Sequence, residues 1–587
     1  MQGAIYCGRV QRLDSLIYIQ VPEQYRMAES FEHYLSDPAD PNSRIPFTAA
    51  LELDEREEYP SEQHVALDLW DLPEFYIPAE LGGRLKSFEE VFAILRALSR
   101  RDLTVALTHV ITFLGAVPIW IAGSEDQNRM LAGLIRGRHK IAFGLTERTH
   151  GGDLLSNEFE ACEENDRILI SGEKWLIGNA TRATAITLLA RTELEGGPRG
   201  FSFLLADKRQ LDSTRFHHLP RVQTVGLRGS DLSGVCFERC ALPATARVGP
   251  AGSGFEFALK ALQITRVLCT GLSLGAADTA LRLAVDFALT RRRYGEAIIS
   301  IPHARTTLCN AFIDLMVCDC VAISAARALH ACPGQASVWS AIAKYLVPVT
   351  MENTIRDLAV VLGGSSFLRT GHPWSMFQKM ARDSSIVSVF EGSTVVQLYA
   401  LGLQLEQLAS TRRIDEPTLT SRLETVFSLR SPLPPFEPVN LDLFSRDGND
   451  AVTVLPLLCE RLRSSGVGEA GLQSAQLVCL EQERLGEDIK RSRGMPARAP
   501  GRLQLARRYT RVHAAACCMS FWIHNREILG DFFCSEEWLS ICLSRLTAED
   551  VTMTGDTYIE RELLERFRQG RLFSAVPFQL ASKGLHL

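Results

Sequence analysis

Residues 140–178, KIAFGLTERTHGGDLLSNEFEACEENDRILISGEKWLIG, are where the hydrophobic period of the chain falls from helical toward two. KIAFGLTE, NEFEAC and RILISGEKWLI read as short strands, and AITLLART, GFSFLLAD and SGVCFERC continue the series to about Val248. Gly, Asn, Asp and Pro separate them, and such regular spacing predicts a small antiparallel barrel or sandwich. Upstream, residues from about 20 to 140 put apolar side chains at three- and four-residue spacing, and Ser124 is placed to cap a helix. Downstream, GPAGSG at 249–254 returns the chain to helices over 255–293, 303–331, 335–361 and 373–410, and four long helices predict a bundle. Pro432, Pro434, Pro435 and Pro438 then form a loop no helix tolerates, followed by a further helical region. The expected fold class is α+β multidomain. A helical N-terminal domain spans 1–139, a middle antiparallel β domain 140–249, a four-helix bundle 250–412, and an additional C-terminal helical domain 413–587.

This order is not doubly wound. No GxGxxG follows a strand and no GxxxxGK[ST] loop is present, so a nucleotide cofactor must be held another way. With 63 Lys and Arg against 69 Asp and Glu the net charge is −6, which argues against a nucleic-acid binder relying on overall basicity. Fifteen cysteines, an odd number without a CxxC pair, predict reduced thiols in a cytoplasmic protein and no metal site. The N-terminal MQGAIYCGRVQRLDSLIYIQ does not read as a signal peptide. The uncharged stretch from Val105 to Gly123 contains His109 and Pro118 and reads as a buried core helix, so no transmembrane segment is expected.

Glu391 is the most suggestive carboxylate. It interrupts the apolar and hydroxyl-bearing run SIVSVFEGSTVVQLYALGLQL, and a carboxylate in apolar surroundings becomes a better base. Gly392 beside it permits close backbone approach by a ligand. Thr146-Glu147 followed by His150-Gly151-Gly152-Asp153 is a strand end entering a glycine turn, which exposes N–H groups to a flat or anionic ligand. Arg291-Arg292-Arg293-Tyr294-Gly295 reads as a helix end whose arginines suit the helix dipole or a diphosphate. Leu362-Gly363-Gly364 reads as a helix stop that also fits a ligand.

Six segments in this order resemble the acyl-CoA dehydrogenase family: IAFGLTERTHGGDL, ISGEKWLIGNA, GPAGSGFEFALKALQITR, ALTRRRYG, VLGGSSF and ARDSSIVSVFEGSTVVQ. The resemblance covers roughly residues 30–410. It implies FAD between the domains, and Glu391 removing the α-proton of an acyl thioester while the β-hydride leaves for the flavin. It further implies that Phe143, Leu145, Thr146, Gly152, Ile177 and Gly178 meet the flavin or substrate. Arg291, Tyr294, Gly363, Gly364 and Ser393 would hold the rest of the FAD across a subunit interface. Gly152, Arg266 and Gly392 would contact the substrate, with Arg266 orienting Glu391 or the acyl headgroup. Residues 415–587 resemble, in length and texture only, the extra domain of long-chain members, which implies a homodimer.

The chain also departs from the family pattern. Leu176-Ile177-Gly178 stands where Trp-Ile-Thr is usual, removing a hydroxyl beside the flavin. Two glutamines that commonly touch FAD are replaced by Pro302 and Val360. The leading expectation is a dehydrogenase passing electrons to an acceptor such as an electron-transfer flavoprotein or oxygen. The alternatives are an acyl oxidase or flavin monooxygenase, which Gly178 invites, and a non-catalytic assembly homologue, against which Glu391 argues. Residues 392–410 contain no basic residue near the expected CoA. Lys490, Arg491, Arg493, Arg498, Arg502, Arg507, Arg508 and Arg511 lie in a window free of acids. That stripe would suit an acyl carrier protein instead.

Overall fold

Among the described residues six α-helices precede the sheet: α1 (Glu23–Leu35), α2 (Phe47–Arg56), α3 (Ser61–Leu69), α4 (Phe88–Ser99), α5 (Leu103–Ala122) and α6 (Glu125–Arg136). The computed structural model describes residues 21–410, 415–547 and 557–581, so the N-terminal segment read for a signal peptide lies outside the described residues. Ser124 caps α6 as its sequence predicts. Its Oγ accepts from Gln127 N while Gln127 Oε1 accepts from Ser124 N, a reciprocal capping box. The Gln127 amide also donates to the carbonyls of Thr245 and Arg247 at 2.8 and 2.9 Å, which ties this domain to the sheet.

The main sheet contains β1 (Ile141–Gly144), β2 (Glu160–Glu164), β3 (Arg167–Gly178), β4 (Ala185–Arg191), β5 (Phe201–Asp207), β6 (Phe216–Leu219), β7 (Leu232–Pro243) and β8 (Arg247–Val248). They run β6-β7-β3-β2-β4-β5-β8, with β1 beside β4. Pairing is antiparallel except for β1 with β4 and the end contact of β2 with β4. The register of β3 on β7 slips between Trp175 and Ile177, where Leu176 takes φ 59°. This bulge re-aims the strand: Leu176 faces outward and Ile177 enters the sheet's core.

α7 (Gly254–Thr290) begins the bundle. After it comes a ribbon of β9 (Arg292–Arg293) and β10 (Glu296–Ala297), turned by Tyr294 and Gly295 at φ 52° and 86°. Only Arg291 of the three arginines stands at the helix end; the other two are in the ribbon. α8 (Pro302–Ala331) and α9 (Ala336–Leu362) follow, with Pro302 at the N-terminal position where its missing N–H costs nothing. The fourth helix expected over 373–410 is two, α10 (Met376–Ser384) and α11 (Thr394–Leu408). The break lies at 385–393, where Glu391 and Gly392 have φ of 56° and 93°, left-handed values that no helix interior accepts.

The C-terminal region adds α12 (Glu416–Phe427), α13 (Asp450–Thr453), α14 (Leu455–Ser464), α15 (Glu469–Arg491), α16 (Pro500–Asn525), α17 (Asp531–Cys534), α18 (Glu537–Thr547) and α19 (Thr557–Arg568). The apolar 514–523 stretch of α16 packs inward against α8 and α18. Among the described residues three helices are long and apolar enough to cross a membrane by length and composition: Leu103–Ala122, Gly254–Thr290 and Pro302–Ala331. Their qualifying windows are 72, 83 and 89% buried inside the protein.

One buried lysine joins three parts of the chain. Lys379 on α10 donates to Asp102 at the start of α5 (2.7 Å), to Asp383 (2.6 Å) and to Thr104 (3.0 Å). Asp383 in turn accepts from Leu227 N, in the loop before β7, at 2.7 Å. Burial alone would lower the Lys379 ammonium, but Asp102 and Asp383 outweigh it and hold it above its ordinary value. Removing the lysine strands two buried carboxylates, so Lys379→Met is expected to cost about 3–5 kcal/mol in chemical denaturation. A loss under about 1 kcal/mol would contradict this role.

Candidate active site

Glu391 sits half-buried in the break between α10 and α11, and three side chains from other elements fix it. Arg266 of α7 donates from Nε to the Glu391 carbonyl at 3.0 Å. Gln397 of α11 donates from Nε2 to the next carbonyl, Gly392 O, at 2.8 Å. Cys269, one turn beyond Arg266, donates from Sγ to Glu391 Oε2 at 3.3 Å. Gly392 is required on two grounds. Its φ is left-handed, and a Cβ there would lie 2.6 Å from Gln397 Nε2 and 3.1 Å from Arg266 Nη2. Lys344 of α9 supports the loop from beneath: its ammonium donates to Val387 O and lies 4.7 Å from the Phe390 ring centroid.

Charge around the carboxylate is set by burial. Burial lowers Arg266 to about 10 against the opposing pull of Glu391, so the guanidinium stays charged at neutral pH. Burial, then the Glu391 charge, raises the Cys269 thiol well above its ordinary value, keeping it a protonated donor. Burial lowers Lys344, opposed by Cys269 and Glu391. Sequence reading found Arg266 but missed Cys269, Lys344 and Gln397. Each is a single residue inside an apolar helical pattern, with no local signal to mark it.

The glycine turn faces this cluster. A Cβ on Gly152 would lie 3.7 Å from Val396 Cγ2, while one on Gly392 would lie 3.3 Å from Val396 Cγ1. Thr146 Oγ1 donates to Trp175 O at 2.7 Å, holding the end of β1 beside the bulged end of β3. Phe143 and Leu145 are buried, Phe143 stacked on Phe203 with centroids 5.9 Å apart. Ile177 is also buried, which leaves its backbone, and not its side chain, for a ligand. Glu147 is structural: it accepts from Glu158 N, Phe159 N and Lys174 Nζ at 2.7, 3.0 and 2.8 Å. At Gly178 the space a side chain would use is taken, because a Cβ would lie 2.3 Å from Ile111 Cδ1.

The remaining candidates, Ser393 apart, lie away from this cluster. Tyr294 is 100% exposed at the tip of the ribbon, and Arg291 and Arg293 are exposed with no ion pair among the described residues. Gly363, at φ 56°, and Gly364 end α9 where an added Cβ would meet nothing within 4 Å. Ser393 precedes α11 without spending its hydroxyl on a cap. No hydrogen bond or ion pair joins the ribbon or the glycine pair to the Glu391 cluster among the described residues. Uncommitted cations, open glycines and a free hydroxyl fit a dinucleotide's diphosphate and adenosine. The backbone of the bulged strand fits a flat ring.

A helical domain, a bulged sheet and a helix bundle surround one constrained carboxylate. Family models for the N-terminal, middle and C-terminal domains of acyl-CoA dehydrogenase match residues 22–138, 142–240 and 252–405. The chain belongs to the acyl-CoA dehydrogenase family, and is accordingly an FAD-dependent oxidoreductase. It is 27% identical over 350 residues to a probable acyl-CoA dehydrogenase of Mycobacterium tuberculosis, covering 59% of this chain and 88% of that protein. In fold it is similar to butyryl-CoA dehydrogenase from Megasphaera elsdenii, with TM-score 0.60 and 22% identity over 66% of this chain and 99% of the other. It is likewise similar to the prolyl acyl carrier protein oxidase AnaB, with TM-score 0.58 and 16% identity over 64% and 96%.

The Ile111–Gly178 contact predicts coupling. Gly178→Thr alone should cost about 1–3 kcal/mol through overpacking. Combined with Ile111→Ala the cost should be recovered in part, a non-additivity readable in a double-mutant denaturation cycle. Strict additivity would contradict the contact.

Proposed function

We propose that this chain oxidises an acyl thioester at its α and β carbons, with Glu391 taking the α-proton. The observation that carries the reading is the doubly clamped left-handed kink, which holds a carboxylate by its own backbone and leaves its side chain to act. Cys269 engages Oε2, so Oε1 is the oxygen free to accept the proton. The Glu391 N–H has no protein acceptor among the described residues, and is therefore available to the thioester oxygen. Such a contact to a developing enolate is worth roughly 3–4 kcal/mol. Bound FAD supplies the acceptor for the β-hydride. Phe143 and Leu145 keep the sheet behind the bulge dry, while Arg266 and Lys344 keep Glu391 in register.

The reading extends to a homodimer. Fully exposed Tyr294 and nearly fully exposed Phe367 leave the ribbon and the α9 stop uncovered in one chain, and a second chain would complete both. An electron-transfer flavoprotein is the expected acceptor. Oxygen is the second reading, and Ile111 supports it by replacing a polar side chain at position 178 with an apolar wall. Peroxide release in air during turnover would favour it.

Glu391→Gln is expected to retain flavin, seen in the visible spectrum, and to lose anaerobic bleaching by an acyl thioester by roughly 10³-fold. Undiminished bleaching would remove Glu391 as the base.

A further inference from the structure

The outward face of α11 is apolar beside the catalytic loop. Val395, Tyr399 and Leu403 are 57, 41 and 50% exposed and spaced four apart, so they form one ridge on one side of the helix. The ridge begins four residues after Glu391. A run of large exposed apolar side chains of this kind marks an interaction surface.

The connection between α15 and α16 is strapped across the same helix. Buried Arg502 donates to Gly402 O at 3.1 Å, to Ser492 Oγ at 2.8 Å and to Glu406 Oε1 at 3.1 Å. A Cβ on Gly402 would lie 3.0 Å from Ala497 O. The strap sets Ala497 against Gly402, next to Leu403 of the ridge. Arg493, Met495 and Arg498 lie within four residues of Ala497 in the same connection, with Met495 42% exposed. From Thr394 to Gly402 α11 rises about 12 Å, so the strap and the catalytic loop lie close along one element.

The structure corrects the reading of a continuous basic stripe. Arg491 pairs with Glu487 and Asp488, Arg508 with Glu481 and Asp488, and Arg502 with Glu406. Arg511 donates to Arg545 O, and Arg507 faces the Tyr345 hydroxyl. Lys490, Arg493 and Arg498 remain, exposed and without an ion pair among the described residues.

We propose that this ridge and its three free cations dock an acidic carrier protein, which presents its tethered acyl thioester to Glu391. The inference rests on the thioester reading above. Charge complementarity selects the partner: three unspent cations, one ending α15 and two in the connection strapped to the ridge helix, match an acidic surface with an apolar centre. A nucleotide handle fits less well, because residues 392–410 place no cation on the helix itself.

The test uses the FAD-loaded full chain and the triple variant Lys490→Glu, Arg493→Glu, Arg498→Glu. One acyl group is offered on an acyl carrier protein, on CoA and on N-acetylcysteamine, and binding of the unacylated holo-carrier is measured by calorimetry. Docking predicts the highest kcat/KM on the carrier. In the variant that value falls about tenfold or more, carrier binding is lost, and turnover of the N-acetylcysteamine thioester stays within about twofold. Carrier turnover in the natural chain should also fall steeply with added salt, as screening of exposed charges requires. A carrier no better than CoA, or a variant impaired equally on all three substrates, overturns the docking surface. So does a variant that changes oligomeric state, since the ridge would then cover a second copy. Flavin that no thioester bleaches overturns the parent reading as well, which separates the two failures.

Discussion

The guanidinium of Arg266 reaches from the middle of the bundle to the carbonyl of Glu391, and the remainder of the site is arranged around that bond. A non-glycine residue in the left-handed region costs on the order of 1–3 kcal/mol and persists only where its surroundings over-determine it. Here a charged donor holds one carbonyl and an amide holds the next. A hydrogen bond to a charged group contributes about 1.5–3 kcal/mol, so the two together match the strain. Strain held at this position has a chemical use: it separates α10 from α11 and fixes a carboxylate in a loop next to Val396, which meets the glycine turn of the sheet.

Much of this was legible in the chain. The fall of period at residue 140 marked the sheet, Ser124 marked a helix start, and Glu391 stood out as a lone charge in an apolar run. The break in the fourth helix was not legible. Residues 373–410 have a helical pattern throughout, and the bond that kinks them comes from a residue 125 positions earlier. Cys269 and Lys344 were hidden for a related reason, since one thiol or one amine in a buried helix reads as core. The bulge at Leu176 exchanged which side chain faces outward, a one-residue slip that periodicity does not reveal. The basic window was misread because its acids lie outside it, on α11 and α15.

The C-terminal region is hydrogen-bonded into the core of the bundle. Arg327 of α8 donates to the carbonyls of Thr425, Val426 and Ser428 at the end of α12 and pairs with Glu89 of α4. Near the C-terminus, Asp278 and Asp319 accept from the N–H groups of Phe573 and Ala575 at 2.8 and 2.7 Å. These buried, charge-assisted bonds fix the region on the bundle, and the Arg502 bond to Gly402 O ties α16 to the helix that follows the catalytic loop.

The most direct measurement of the central claim follows hydrogen at the α-carbon. In D₂O, a thioester whose β-carbon bears no transferable hydrogen isolates proton abstraction from oxidation, and proton NMR reads the exchange. α-Hydrogen exchange should be catalysed by the FAD-loaded natural chain and abolished in Glu391→Gln. Exchange at an undiminished rate in that variant would show that another group removes the proton, and would contradict the account.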